Sequence, residues 1–216
     1  MRPNALGDTY HRKDLKRTLL RAVRAELREF GADFVSLRRI SARAGVSHGA
    51  PYRHFKGKDG MLAALCWEGQ AEFTAFLRLA RKGGKLPADR LFRLGSAYLE
   101  FAGKNPEVFR LMFSETGKRV MSAHHPDDAL KSRSEYDSFE VLESTVKECQ
   151  SSGILDPRED SGALAMLIWS FIHGLAHLRR EGFVSSMGAS RGLDGETTEQ
   201  LVMRAFRGLI LESSGR

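Results

Sequence analysis

The sequence predicts an all-α fold, with an N-terminal three-helix head bearing a helix-turn-helix and a larger helical body, about nine helices in total. Three observations carry this expectation. Apolar residues recur at helical spacing along most of the 216 residues. No stretch of useful length alternates apolar and polar residues, and no internal repeat is visible. Charge is also unevenly divided: residues 1–60 hold 14 Lys+Arg against 6 Asp+Glu, a net +8, while residues 61–216 hold 20 against 21. A basic segment on a near-neutral body suits a chain that docks one end on a polyanion, although a merely solubilising arm would look the same.

Composition narrows the classes further. The length is ample for a buried core, and no apolar run approaches the roughly 18–20 residues that span a bilayer. The first residues, Met1 to His11, are polar and lack a signal-peptide core, so a cytoplasmic protein with no membrane association is expected. Cys66 and Cys149 show no metal-like clustering and read as reduced, buried thiols.

In chain order, residues 1–11 read as a loose arm. From Lys13 to Phe30, the residues Leu15, Leu19, Val23, Leu27 and Phe30 form one helical face, which Gly31 ends. Ser36 is placed to cap a short helix from Leu37 to Ala44, with Leu37, Ile40 and Ala44 inward. Gly45-Val46-Ser47 forms a tight turn in which Gly45 takes the left-handed conformation, Val46 plugs the core and Ser47 caps the next helix. That third helix is expected through about Phe55, with Pro51 in its first turn. Helical spacing resumes from Met61 to Leu79. Gly83-Gly84-Lys85-Leu86-Pro87 is the expected hinge, giving a head at 12–72 and a body at 86–216. Body helices are expected near 88–103, 106–116, 135–151, 160–180 and 196–213, with weakly structured connections at 117–134 and 183–195.

Two short helices joined by a glycine turn form a helix-turn-helix at about 36–55, whose second helix enters the DNA major groove. The chemistry of that second helix sharpens the reading. Gly49 and Ala50 remove bulk where a helix must approach base edges. Tyr52 and His54 offer O–H and N–H groups to phosphates, and Lys58 adds charge at a helix start. Tyr52 could equally be a core aromatic, and Phe55 reads as one.

The run from Ile40 to Lys58, with Ala44-Gly45-Val46-Ser47-His48, then Gly49-Ala50 and Tyr52-Arg53-His54-Phe55-Lys56-Gly57-Lys58, resembles the signature of the TetR family of bacterial regulators. The resemblance implies contacts to double-stranded DNA from Ser36, Arg43, Ser47, His48, Gly49, Ala50, Tyr52, Arg53, His54 and Lys58. In it Ser36, Tyr52, His54 and Lys58 map onto phosphate-contacting positions, and His48 and Ala50 onto base-facing ones. Ser41 stands where the family usually has Ala. Pro51 stands at a commonly aliphatic position, which leaves the start of the recognition helix open. The family's larger domain binds a small molecule and forms the dimer. Asn105 to Phe113 and Trp169-Ser170-Phe171-Ile172-His173-Gly174 resemble one subgroup with a Trp…His-Gly motif.

The residues of the body agree on one point. Leu164, Phe171 and Leu175, with Leu201, Val202, Phe206 and Leu209, form apolar stripes that must be buried, either within the protomer or in a homodimer matching a near-palindromic operator. Phe101, Phe109, Met112, Phe113, Trp169 and His173 are candidates to line a pocket for a small hydrophobic ligand, or else simply core. His173 and His177 stand at i, i+4, but nothing nearby completes a metal site. No phosphate-cradling loop and no nucleophile elbow occurs. No enzyme activity, cofactor or metal is expected. The leading expectation is a ligand-released repressor, and the alternative is a weakly specific or architectural DNA-binding protein.

Overall fold

A computed structural model describes the backbone of residues 5–32, 34–125 and 137–212. Among these residues it contains ten α-helices, one 3-10 helix and no strand. The helices are α1 (Ala5–Phe30), α2 (Leu37–Ala44), α3 (Gly57–Lys82), α4 (Pro87–Lys104), α5 (Pro106–Met112), α6 (Glu115–Ala123), α7 (Ser138–Ser151), α8 (Ser161–Arg180), α9 (Phe183–Ala189) and α10 (Gly195–Glu212). The 3-10 helix spans Pro51–Arg53, between α2 and α3.

The all-helical expectation holds, with differences that have local causes. α1 starts at Ala5 rather than near Lys13. The helix expected at 106–116 is instead two. Ser114 leaves the helical conformation, its Oγ accepts the Gly117 N–H at 3.0 Å, and α6 starts inside the expected loop. A second helix, α9, occupies the Gly- and Ser-rich stretch read as a connection. It begins after Gly182 at φ +79° and is anchored by Val184, which is buried.

The chain forms two compact units. The first comprises Met1–Ala71 and Glu107–Lys131, the second Glu72–Pro106 and Ser132–Arg216. The division therefore falls within α3 and not at the glycines of 83–87. Those glycines make a packed turn: Gly84 is buried and its carbonyl accepts from Arg90 Nε at 3.1 Å.

In the first unit, Leu19, Val23 and Leu27 of the predicted α1 face are buried, as are Ile40, Phe55, Met61, Leu62 and Leu65, whereas Leu15 of that face is half-buried and Phe30 is 38% exposed. Arg24 of α1 reaches Glu68 of α3 at 3.1 Å. In the second unit Leu91, Val146, Cys149, Leu155, Ala165 and Ile168 form a core flanked by Phe139, Leu164 and Phe206. Burial pushes the Cys66 thiol up to about 12 and the Cys149 thiol to about 11, so neither is a thiolate at neutral pH. By length and composition α8 could cross a membrane, unlike the sequence expectation, but its Ile168, Ile172 and Leu175 are buried in the core of its own unit.

Candidate nucleic-acid interface

The reading head is built on α2. Ser36 caps it, its side chain accepting from the Arg39 N–H at 3.5 Å, and Ile40 and Ser41 are fully buried beneath it. Gly45 ends it at φ +68°, where the Gly45 N–H bonds the Ala42 carbonyl and the Val46 N–H bonds the Ser41 carbonyl. That pair of bonds is the Schellman closure, which demands a residue able to adopt a left-handed conformation. Val46 is half-buried behind it.

The expected recognition α-helix is a tighter element. Residues 48–50 form turns and 51–53 a 3-10 helix, with the Ala50 N–H on the Ser47 carbonyl at 3.0 Å and the Arg53 N–H on the Ala50 carbonyl at 3.2 Å. Pro51 explains this: it has no N–H to give the Ser47 carbonyl, so the α-helical bond at that point cannot form.

The site residues divide by exposure. Ser47, His48, Gly49, Tyr52 and Arg53 are exposed, Tyr52 at 63%, and a methyl added at Gly49 would meet nothing within 4 Å. Tyr52 is thus a surface ring, while Phe55 at 7% exposure is core. His54 and Lys58 are half-buried. Ala50 departs from its expected base-facing place. At 6% exposure its methyl is buried.

Arg43 is committed within the head, its Nη2 lying 2.5 Å from Glu29 of α1. Half-exposed pairs of this kind are weak enough for a phosphate to compete. Arg38 and Lys56 were missed by motif matching. Both are exposed cations beside the same surface, with no ion pair among the described residues. The concentrated N-terminal charge was the signal that could have found them.

Among the described residues, two acidic groups of this head are paired with arginines. Asp59, next to Lys58, is gripped by Arg119 of α6 at 2.6 Å, and that bond holds its carboxyl below the usual range. Arg39 is the strut beneath: its Nε donates to the fully buried Glu26, its Nη2 donates to the Phe34 carbonyl, and its guanidinium lies 4.3 Å over the Phe30 ring. The resulting surface is cationic and polar. It can neutralise phosphates and present a few side chains to base edges, but it holds no catalytic constellation.

Comparison with known proteins agrees with this geometry. Residues 91–206, more than half of the chain, match the tetracyclin repressor-like C-terminal domain. Residues 19–65 match the N-terminal model of bacterial regulatory proteins of the tetR family.

The chain belongs to the TetR family.

It is accordingly a DNA-binding transcriptional regulator. It is 29% identical over 148 residues to nucleoid occlusion factor SlmA of Actinobacillus pleuropneumoniae, covering 68% of this chain and 70% of that protein. A protein of unknown function from Rhodococcus sp. RHA1 superposes with a TM-score of 0.70 at 25% identity, over 91% of this TetR-family chain and 95% of the other. FadR of Bacillus subtilis, solved with stearoyl-CoA, shares the fold at a TM-score of 0.66 and 14% identity, over 90% of this chain and 97% of that one.

The expected ligand-lining residues do not fall in one unit. Phe109, Met112 and Phe113 belong to the first, where the Phe109 and Phe113 rings are 4.8 Å apart. Phe101, Trp169 and His173 belong to the second, and there a polar chain runs through an aromatic wall. Trp169 Nε1 donates to the Tyr98 hydroxyl at 3.2 Å. That hydroxyl lies 2.6 Å from His173 Nδ1, and His173 Nε2 lies 3.1 Å from His177 Nε2. Burial, with the charges of His177 and Arg180, lowers the His173 pKa, and burial raises that of Tyr98. Phe73 packs on Tyr98 and Phe139 on Trp169, and Phe101 lies behind Phe73 and beside Phe76.

The candidate dimer residues also divide. Leu175 is 5% exposed, Leu164 and Phe206 pack on the core, and the Phe171 and Phe206 rings stack at 3.8 Å within the protomer. Val202 is half-buried, and Leu201 and Leu209 are exposed.

Proposed function

We propose that this TetR-family regulator is a homodimeric repressor, released from a near-palindromic operator when a small hydrophobic ligand enters the unit formed by 72–106 and 132–216. The functional division follows the head at 12–72 and the body at 86–216. The observation that carries the ligand half is the Trp169–Tyr98–His173–His177 chain. It is a line of hydrogen-bonding groups with Phe73 against Tyr98 and Phe139 against Trp169, which supplies a polar anchor and an apolar wall. Trp169 and His173 are also the residues of the Trp…His-Gly motif, which supports placing the chain in that subgroup. A fold neighbour solved with stearoyl-CoA lends support to an acyl or similarly apolar ligand.

The dimer reading rests on exposed apolar surface. Met166, Leu167 and Leu178 on α8 and Leu201 and Leu209 on α10 are between 38% and 70% exposed. Ser170, Gly174 and Ala205 interleave with them, and small residues let two helix pairs approach closely. This face replaces Leu164, Phe171, Leu175 and Phe206 as the proposed contact, because those four are engaged inside the protomer. Two copies joined there would hold two heads about one helical turn apart on DNA. Ligand release needs differential affinity for the DNA-competent and DNA-incompetent conformers.

Anisotropy titration of the protein on its own upstream DNA tests the reading, with Leu167→Lys as the dimer probe. Sequence-specific binding is expected, and the variant should sediment as a monomer and lose cooperative binding. A failure to discriminate that DNA from scrambled DNA at physiological salt sinks the repressor reading.

A second reading has one observation in its favour. The SlmA relatives are named as nucleoid occlusion factors, which favours for this chain a DNA-bound role without an inducer. For this chain that reading predicts a steep salt slope with little sequence discrimination and no response to hydrophobic ligands.

A further inference from the structure

Lys58 and Asp59 are consecutive residues in the first turn of α3. The sequence thus sets an acid beside the base that meets a phosphate in the DNA-binding reading. The location sharpens the conflict, because the start of a helix attracts anions through its dipole and its open N–H groups. An Asp59 carboxylate turned toward Lys58 would compete there with DNA.

The structure turns that carboxylate elsewhere. Arg119 of α6 holds it at two points, Nη1 to Oδ2 at 2.6 Å and Nη2 to Oδ1 at 3.4 Å. A two-point grip sets the plane of the carboxylate as well as its place. The Arg119 bond is also what chiefly holds the Asp59 carboxyl below the usual range; burial opposes it, and the charges of His124 and Lys58 act with it.

Arg119 can direct this carboxylate because α6 is itself fixed. Val120, next to Arg119, is fully buried, and Trp67 of α3 donates from Nε1 to the His124 carbonyl at 2.8 Å. At the other end of α6, Gly117 lies so close to the Leu111 carbonyl that a Cβ there would overlap it. Asp59, Lys58 and α6 all belong to the first compact unit. The Arg119 and Asp59 side chains are 58% and 41% exposed, so the pair adds little to folding. Its consequence lies in where it points the carboxylate.

We propose that Arg119 is a positioning residue of the DNA-binding surface: by gripping Asp59, it keeps that carboxylate from competing with a DNA phosphate for Lys58. The proposal rests on the reading of Lys58 as a phosphate contact. It brings into DNA binding a residue 60 positions from Asp59 in the chain, outside the helix-turn-helix motif.

Anisotropy titrations of the full chain on its own upstream DNA, repeated over a salt series, test the proposal. Arg119→Gln should weaken binding by about fivefold at low salt, the scale of one charge pair a few Å apart in water. It should also reduce the slope of log K against log salt by about 0.9, as the loss of one phosphate contact does. Asp59→Asn breaks the same ion pair but removes the competing charge, so it should bind DNA more tightly than wild type. Adding Asp59→Asn to Arg119→Gln should restore both affinity and slope, and in a Lys58→Ala background Arg119→Gln should add no further loss.

Three results overturn the proposal. One is unchanged affinity in Arg119→Gln. Another is a loss in Asp59→Asn as large as that in Arg119→Gln, which would make the pair merely structural. The third is an equal effect of Arg119→Gln with and without Asp59 or Lys58, which would make Arg119 a DNA contact in its own right. Wild-type binding separates the two failures. Its absence sinks the DNA-binding reading and this proposal together, whereas wild type that binds and Arg119→Gln that matches it sink this proposal alone.

Discussion

Arg39→Ala is the perturbation that best tests how the reading head is held. Glu26 is 0% exposed, its Oε1 receives Arg39 Nε, and its Oε2 has no hydrogen-bond partner among the described residues. Removing Arg39 therefore leaves a buried carboxylate wholly unpaired, a change that costs about 3–5 kcal/mol where both partners are enclosed. Arg39 is itself 46% exposed, so water entering the vacated space screens part of that cost. The lost guanidinium–ring contact over Phe30 adds about 0.5–1 kcal/mol. The net expectation is about 3 kcal/mol, within the roughly 5–15 kcal/mol that keeps a domain folded. Urea unfolding of Arg39→Ala, Glu26→Gln and the double variant measures it. The double variant should lose less than the sum of the singles, by about 2 kcal/mol, because Gln leaves no charge to strand. Folded Arg39→Ala should also bind DNA more weakly with an unchanged slope of log K against log salt. Loss of a phosphate contact would instead reduce that slope by about 0.9. A loss below about 1 kcal/mol, or strict additivity, refutes the strut.

Other outcomes derive from the same geometry. Lys58→Ala and Tyr52→Ala should weaken binding to all DNA sequences alike, whereas His48→Ala should change sequence preference, as read by competition titrations; equal loss of preference in all three contradicts the assignment. At Gly117 a Cβ would stand 1.9 Å from the Leu111 carbonyl oxygen. Gly117→Ala should therefore destabilise by about 3 kcal/mol or more in thermal melts, since backbone must move, and a wild-type melt would show that α6 starts elsewhere. The Glu148 carboxyl is raised by its burial, but bonds and charge from Arg90 and Arg81 outweigh this and leave its pKa below the ordinary 4.5. A depressed folded pKa means that its stability contribution is present above pH 4.5 and is lost as the pH falls through the folded value. Glu148→Gln should thus be less stable than wild type at pH 7, and the gap should close in acid. A gap that is constant with pH would refute the pairing.

Much of the fold was legible because it is locally encoded. The α1 face of Leu19, Val23 and Leu27, the Ser36 cap and the left-handed Gly45 each depend on residues within one or two turns, and each stands as expected. Pro51 was visible too, but not that residues 51–53 form a 3-10 helix or that the Ala50 methyl before them is buried. α6 and α9 were hidden because Ser and Gly read as loop. Ser114 in fact caps a helix, and Gly182 precedes one.

By itself the sequence determined that this chain is helical, that its N-terminal part meets DNA, and that it resembles the TetR family. Periodicity, caps and an ordered surface motif are short-range signals that survive without knowledge of packing. Only the tertiary structure decided how distant segments share their chemistry. It pairs Arg39 with Glu26 and Arg43 with Glu29. It gathers α5 and α6 into the unit of the head and leaves one oxygen of Glu107 without a donor. It also turns Leu175 and Phe206 inward while exposing Leu167 and Leu209. The physical reason is that a side chain's partner, and whether it faces core or solvent, depends on which helices meet across the fold, and helical spacing fixes only that it has a face.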